Sequence, residues 1–229
     1  MVLSLSLNVT HGWPTIFALK ELIDHTFLAA ECTGADVDRI CQEALDHGFR
    51  AVCVPPYFVT RAQKLLSGSD VLLATVVAFP NGYQETAVKV QEIRRAMDEG
   101  ADELDIVINI AAVKSGDWSY VRSDIESVST TARLKGKVSK LIVEASTLTE
   151  EELKQVCDIC NDVKPNFVKT STGSRGGATV EQVKFLRANL VEEIKIKASG
   201  GIRDKAFAEE LVAAGADRIG TSAGIALLA

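Results

Sequence analysis

The sequence predicts an α/β protein: a single-domain (β/α)8 barrel of the TIM type with a short N-terminal capping helix. Three observations predict it. Short β-branched runs alternate with longer helical patterns, the signature of parallel βα units. There are eight such runs, and their centres recur about every 28 residues, the spacing a closed eight-stranded barrel needs. Eight units of that size use up the 229 residues, so one domain spanning residues 1–229 is expected, with the barrel proper beginning near residue 21. An open doubly wound sheet is the competing architecture. It normally carries GxGxxG in its first strand–helix turn, whereas the first strand here runs into Thr26-Phe-Leu-Ala29.

The strands are expected over residues 22–26, 50–54, 72–78, 103–109, 139–145, 166–170, 194–198 and 216–220. Helix start signals lie between them. Thr149 followed by Glu152, and Thr179 followed by Gln182, are capping boxes, in which a hydroxyl and a carboxyl or amide satisfy free N–H groups of the first turn. Gly48, Gly100 and Gly215 mark helix ends, where a left-handed residue is wanted. Before Lys20, the apolar Ile16, Phe17 and Leu19 suggest the short helix that closes the barrel's bottom.

Composition narrows the function. Apolar residues make up 47% of the chain, too many for a disordered protein. A net charge of −6 provides no general field for phosphate backbones, so no nucleic-acid partner is expected. No apolar run approaches the ~20 residues of a membrane-spanning helix, and the N-terminus does not read as a signal peptide. Without such a signal the Asn8-Val9-Thr10 sequon carries no weight. Five cysteines in no disulfide pattern fit a reducing cytoplasm. Cys157 and Cys160 have the spacing of half a metal or redox motif. They fall inside an amphipathic helix with no second pair to complete a site, so core packing is expected, and no metal.

Charged residues inside barrel strands are costly unless paired or used. Four stand out: Asp24, Asp105, Lys169 and Lys197. The two lysines fall near the carboxyl ends of adjacent strands six and seven, the active face of this fold. Two ammonium groups a few ångströms apart disfavour each other's charge, and burial adds to that. One can then be a neutral amine able to form a Schiff base, with a carboxylate moving protons. Lys195 shares the facing of Lys197 one pleat deeper, where a salt bridge is expected. His25, beside Asp24, reads as a hydrogen-bonded strand residue.

Glycine-containing turns follow the last three strands: Ser171-Thr-Gly-Ser-Arg-Gly-Gly177, Ser199-Gly-Gly-Ile-Arg203 and Gly220-Thr-Ser-Ala-Gly224. Barrels often bind phosphate at the loops after strands seven and eight. Glycine lets backbone N–H groups approach the anion, and Thr221 and Ser222 add hydroxyls.

With these residues in view, the sequence resembles the deoxyribose-phosphate aldolases, which are class I aldolases. The stretches that carry the resemblance are Ile23-Asp-His-Thr26, Cys53-Val-Pro55, Thr75-Val-Val-Ala-Phe-Pro-Asn-Gly82, Gly100-Ala-Asp-Glu-Leu-Asp-Ile-Val-Ile-Asn109, Phe167-Val-Lys-Thr-Ser-Thr-Gly173, Gly176-Gly-Ala-Thr179, Lys197-Ala-Ser-Gly-Gly-Ile-Arg203 and Arg218-Ile-Gly-Thr-Ser222. The resemblance implies reversible cleavage of 2-deoxy-D-ribose 5-phosphate to D-glyceraldehyde 3-phosphate and acetaldehyde, without metal or cofactor. It implies Lys169 as the Schiff-base lysine, Lys197 as the lysine that lowers its pKa, Asp105 as an acid/base working with water, and Asp24 as a supporting aspartate. It implies Gly173, Gly200, Gly201, Gly220 and Ser222 as phosphate-binding positions.

Ser174 stands where many relatives carry Lys or Phe. Some relatives also use a tyrosine at the end of a longer tail, and no tyrosine follows Tyr120 here. The expected partner is a small phosphorylated sugar or an aldehyde, and a homodimer is compatible with the fold. Two other readings share these residues in part: another lysine-dependent barrel aldolase acting on a sugar phosphate, and a barrel that binds a phosphorylated metabolite without turnover.

Overall fold

A computed structural model describes residues 19–229. Eight strands pair in parallel, each with the next in sequence, and the last pairs with the first to close a barrel. They are β1 (Ile23–Thr26), β2 (Ala51–Val54), β3 (Leu72–Val77), β4 (Glu103–Val107), β5 (Val138–Ile142), β6 (Phe167–Lys169), β7 (Lys195–Ser199) and β8 (Arg218–Thr221). The helices between them are α1 (Gly34–His47), α2 (Val59–Leu66), α3 (Thr86–Asp98), α4 (Ile110–Lys114), α5 (Trp118–Arg133), α6 (Glu150–Val163), α7 (Val180–Asn189) and α8 (Lys205–Ala213). This is the closed barrel the strand count predicts. The helix expected before Lys20 falls on residues outside those described except at its end, where Leu19 and Lys20 are helical.

Strand alternation sorts the side chains into two sets. Ile23, Val52, Leu73, Leu104, Ile106, Leu141, Val168, Ile196 and Ile219 point outward and form the main core with the helices. Cys53, Ala74 and Val76 form a separate apolar cluster inside the β2–β3 quarter of the barrel. Ala51, Val107, Ile142 and Phe167 share the inward set, and among them lie the polar and charged residues of the interior.

Local chemistry fixes the ends of the helices. Both expected capping boxes are present, at the starts of α6 and α7, and a third, Thr33 with Asp36, opens α1. Gly48 ends α1 in the left-handed conformation (φ 66°). Cys157 and Cys160 are buried in α6 as core residues. Among the described residues no helix is long and apolar enough to cross a membrane.

Several strand limits differ from expectation. β3 stops before Ala78, which takes a positive φ of 55°, and β4 stops so that Asn109 can cap α4. β5 ends three residues early, because Glu144 adopts φ 50° and Ala145 starts a 3-10 turn. Lys195 lies exposed at the amino end of the barrel and forms no ion pair among the described residues, so the expected salt bridge is absent. His25 points outward and meets Glu43 of α1, Nε2 to Oε2 2.6 Å.

Candidate active site

Strand register brings the two lysines together. Lys169 is the last residue of β6 and Lys197 is its register partner on β7. Sequence placed Lys197 at the end of its strand, but β7 runs on to Ser199 and Lys197 is wholly buried. Both Nζ atoms donate to the same oxygen, Asp105 Oδ2, at 2.7 Å each. Asp24 closes the group from β1, with Oδ2 2.5 Å from Lys197 Nζ.

The lysines differ in their number of carboxylate neighbours. Burial is the main influence lowering the pKa of Lys169. Asp105 opposes it and the Lys197 ammonium reinforces it, leaving Lys169 below the usual lysine value. Burial also works against a charge on Lys197, but Asp105 and Asp24 together outweigh it and raise its pKa. For Asp105, burial is overcome by the ammonium groups of Lys140, Lys169 and Lys197, which hold its carboxyl well below the usual range. Asp24 is lowered in the same way, burial being outweighed by Lys197, Lys140 and Arg218. Lys169 is therefore the group in this cluster most ready to be a neutral amine.

Lys169 also faces a cavity. Of the four residues, it alone lines a hollow of about 210 Å3 at the carboxyl ends of the strands. Asp105, Lys197 and Asp24 lie beneath it, with no exposed surface. The same cavity is lined by Gly173, Gly200, Gly201, Gly220 and Ser222, so all five candidate anion-binding positions gather beside Lys169. Gly200 takes φ 92°, and a Cβ there would lie 2.8 Å from Ser171 Oγ and 3.0 Å from Gly177 Cα. Its lack of a side chain is what lets the β6–α7 and β7–α8 loops meet.

Ser174, the departure from the pattern, is exposed beside the loop and hydrogen-bonds Thr172 Oγ1 at 2.6 Å. Glu144 fastens this loop, accepting from Thr172 N at 3.2 Å and Thr172 Oγ1 at 2.5 Å.

The sequence reading missed three buried residues. Lys140 on β5 reaches Glu103 Oε2 (2.5 Å), Asp105 Oδ1 (2.9 Å) and Asp24 Oδ2 (3.5 Å). Arg218 on β8 donates to Asp24 through Nε (2.8 Å) and to Glu103 Oε2 through Nη2 (3.0 Å). Both cations and Glu103 alternate with outward-facing residues on their strands, the same pattern that singled out Asp105. Arg203, exposed at the rim, was missed as a lining residue. Among the described residues, no group of three or more His, Cys, Asp or Glu is placed to hold a metal ion.

A buried pair of lysines sharing one carboxylate, under a glycine-walled cavity, can form an imine with a bound carbonyl compound. Known proteins similar to this chain are aldolases. The model of the DeoC/LacD family aldolases matches residues 19–228. A deoxyribose-phosphate aldolase of Thermococcus gammatolerans is 47% identical over 213 residues, 92% of this chain and 95% of that protein. One from Desulfitobacterium hafniense is also 47% identical, over 92% of this chain and 97% of its own length. The tetrameric structure of deoxyribose phosphate aldolase from Aeropyrum pernix superposes with a TM-score of 0.88 at 31% identity, covering 93% of this chain and 91% of that one. With its lysine pair and glycine-walled cavity at the mouth of a closed barrel, the chain belongs to the DeoC/LacD family of aldolases.

Proposed function

We propose that the protein cleaves 2-deoxy-D-ribose 5-phosphate reversibly to D-glyceraldehyde 3-phosphate and acetaldehyde through a Schiff base on Lys169. One observation carries the reading. Lys169 is the cluster's one basic side chain that both opens into the glycine-lined cavity and has its pKa lowered.

Neutral Lys169 adds through Nζ to the C1 aldehyde, and the carbinolamine takes up a proton on its hydroxyl and loses water to give an iminium. The iminium withdraws electrons from C2. When a base removes the C3 hydroxyl proton, C3 becomes a carbonyl and the C2–C3 electron pair moves into an enamine. D-glyceraldehyde 3-phosphate departs. Protonation at C2 restores the iminium, and water releases acetaldehyde and regenerates the amine. Asp105 is the base on this reading. It is buried beneath Lys169, so the proton passes through a water. Lys197, its charge held by Asp105 and Asp24, favours the neutral form of Lys169. The phosphate binds to backbone N–H groups of Gly173, Gly200, Gly201 and Gly220 and to Ser222.

All of this chemistry belongs to one domain, residues 1–229. The compartment we infer is the cytoplasm, consistent with buried free thiols at Cys41, Cys53, Cys157 and Cys160. A homodimer is the assembly we propose. Borohydride reduction with acetaldehyde, followed by peptide mass mapping, tests the reaction. The expected product is a two-carbon adduct on Lys169, and an adduct confined to another lysine, or none, overturns the reading. Turnover is expected to persist in a strong chelator.

A further inference from the structure

Beneath the reacting layer lies a second layer of charge. Glu103 accepts from Arg218 (Oε2–Nη2 3.0 Å, Oε1–Nη1 3.2 Å) and pairs with Lys140 at 2.5 Å. Lys140 bridges upward to Asp105 (2.9 Å) and Asp24 (3.5 Å), and Arg218 also holds Asp24. Glu103 and Arg218 line a different cavity, of about 380 Å3, at the amino ends of the strands. They are on the far side of the barrel from the glycine loops.

The signs of these groups balance in a particular way. The carboxylates are Asp24, Glu103 and Asp105, and the ion-paired cations facing them are Lys140, Lys197 and Arg218. The set is neutral when Lys169 is a free amine and carries one net positive charge when Lys169 is protonated. A net charge taken out of water is costly. We propose that Glu103 and Arg218 are positioning residues that set the protonation of Lys169 from the opposite end of the barrel, acting through Lys140, Asp24 and Asp105. The inference deepens the Schiff-base reading and rests on it for its catalytic meaning.

The other groups around Lys169 leave this balance intact. The Cys53 thiol faces it from β2 and is pushed up to about 11 by burial. The interior positions of β3 are Ala74 and Val76. Glu144, two residues past the end of β5, is turned to Thr172. His25 on β1 points outward to Glu43. Lys195 on β7 and Arg203 at the rim are exposed to water, where charge is screened.

The test is a titration of Lys169 in the full-length protein without substrate, by competitive acetylation across pH with mass mapping of the Lys169 peptide. Glu103→Gln keeps the shape and leaves an uncompensated positive charge. The Lys169 midpoint should fall by about one pH unit. Arg218→Met leaves an uncompensated negative charge and should raise the midpoint by a similar amount. The double variant should return near the wild-type value, and Lys195→Met, at the exposed end of the same barrel, should leave it in place. The acid limb of the kcat/KM profile should move with the midpoint.

A Glu103→Gln midpoint that is unchanged or raised overturns the proposal. That variant is isosteric and decides alone if Arg218→Met fails to fold. Absence of a borohydride adduct on Lys169 in the unaltered protein would instead remove the Schiff-base reading, leaving the titration to be judged by itself.

Discussion

Lys169 and Lys197 are register partners on neighbouring strands, and both place Nζ 2.7 Å from a single oxygen, Oδ2 of Asp105. The arrangement is asymmetric because Asp24 adds a second carboxylate to Lys197 and none to Lys169. One carboxylate shared by two ammonium groups cannot satisfy both, so the better-paired lysine keeps its proton and the other gives it up more readily.

Replacing Lys197 with Leu tests this division. The Lys197 ammonium helps to lower the pKa of Lys169, so its loss raises that pKa. The reactive form of Lys169 is the unprotonated one, and a higher pKa leaves less of it at pH 7. We expect kcat/KM at pH 7 to fall about a hundredfold, with partial recovery as pH rises. An unchanged pH–rate profile would contradict the role.

Asp105→Asn separates imine formation from bond cleavage. The carboxylate favours the protonated form of Lys169, so removing its charge should lower the pKa of that lysine further. Imine formation with acetaldehyde should survive, as read by borohydride trapping. Cleavage needs a proton acceptor, and its kcat should fall by about 10²- to 10⁴-fold. Loss of trapping together with turnover would mean that Asp105 mainly holds the lysines in place.

Gly220 belongs to Lys197 as much as to the phosphate cavity. A Cβ built there would lie 2.9 Å from Lys197 Cε and 2.9 Å from Ser199 Cβ, closer than carbon atoms pack. In Gly220→Ala the Lys197 side chain must move, drawing its ammonium off Asp105 and Asp24. We expect the acid limb of the pH–rate profile to move upward, as in Lys197→Leu, with roughly tenfold lower activity at pH 7 and about 1–3 kcal/mol less stability. If Gly220 served the phosphate alone, KM for the phosphorylated substrate would rise and the profile would stay in place.

Much of this arrangement can be read from the chain. The period of the strand runs, the capping threonines Thr149 and Thr179, and the missing glycine fingerprint after Thr26 are enough to separate a closed barrel from an open sheet. Asp24, Asp105, Lys169 and Lys197 stand out because each is a charge inside an apolar run. Lys140 and Arg218 were harder to see, and Lys195 shows why. It shares an inward position with Lys197, yet it reaches water at the barrel's amino end, whereas Lys140 is wholly buried. Strands in a barrel are staggered, so a residue's place in its strand does not give its depth. Only the register that pairs Asp105 with Lys140, and Lys197 with Arg218, brings these cations under the site.

Outside the barrel, a second buried ion pair supports the strand that carries Asp105. Lys89 of α3 donates to Asp124 Oδ2 of α5 at 2.6 Å and to the carbonyl of Val107, the last residue of β4, at 3.0 Å. Thr86 donates to the other oxygen of Asp124 at 2.8 Å. Both charged groups are almost wholly buried, so removing one strands the other without water. Asp124→Ala should therefore cost about 3–5 kcal/mol, read as a lower urea midpoint. Replacing the pair together, as Lys89→Met with Asp124→Leu, removes both desolvation penalties and should recover most of that loss. Neither substitution touches the lysine cluster, so well below the melting temperature the pH–rate profile of both variants should match the unaltered protein. A shifted profile would show that the anchor at Val107 also sets the position of Asp105.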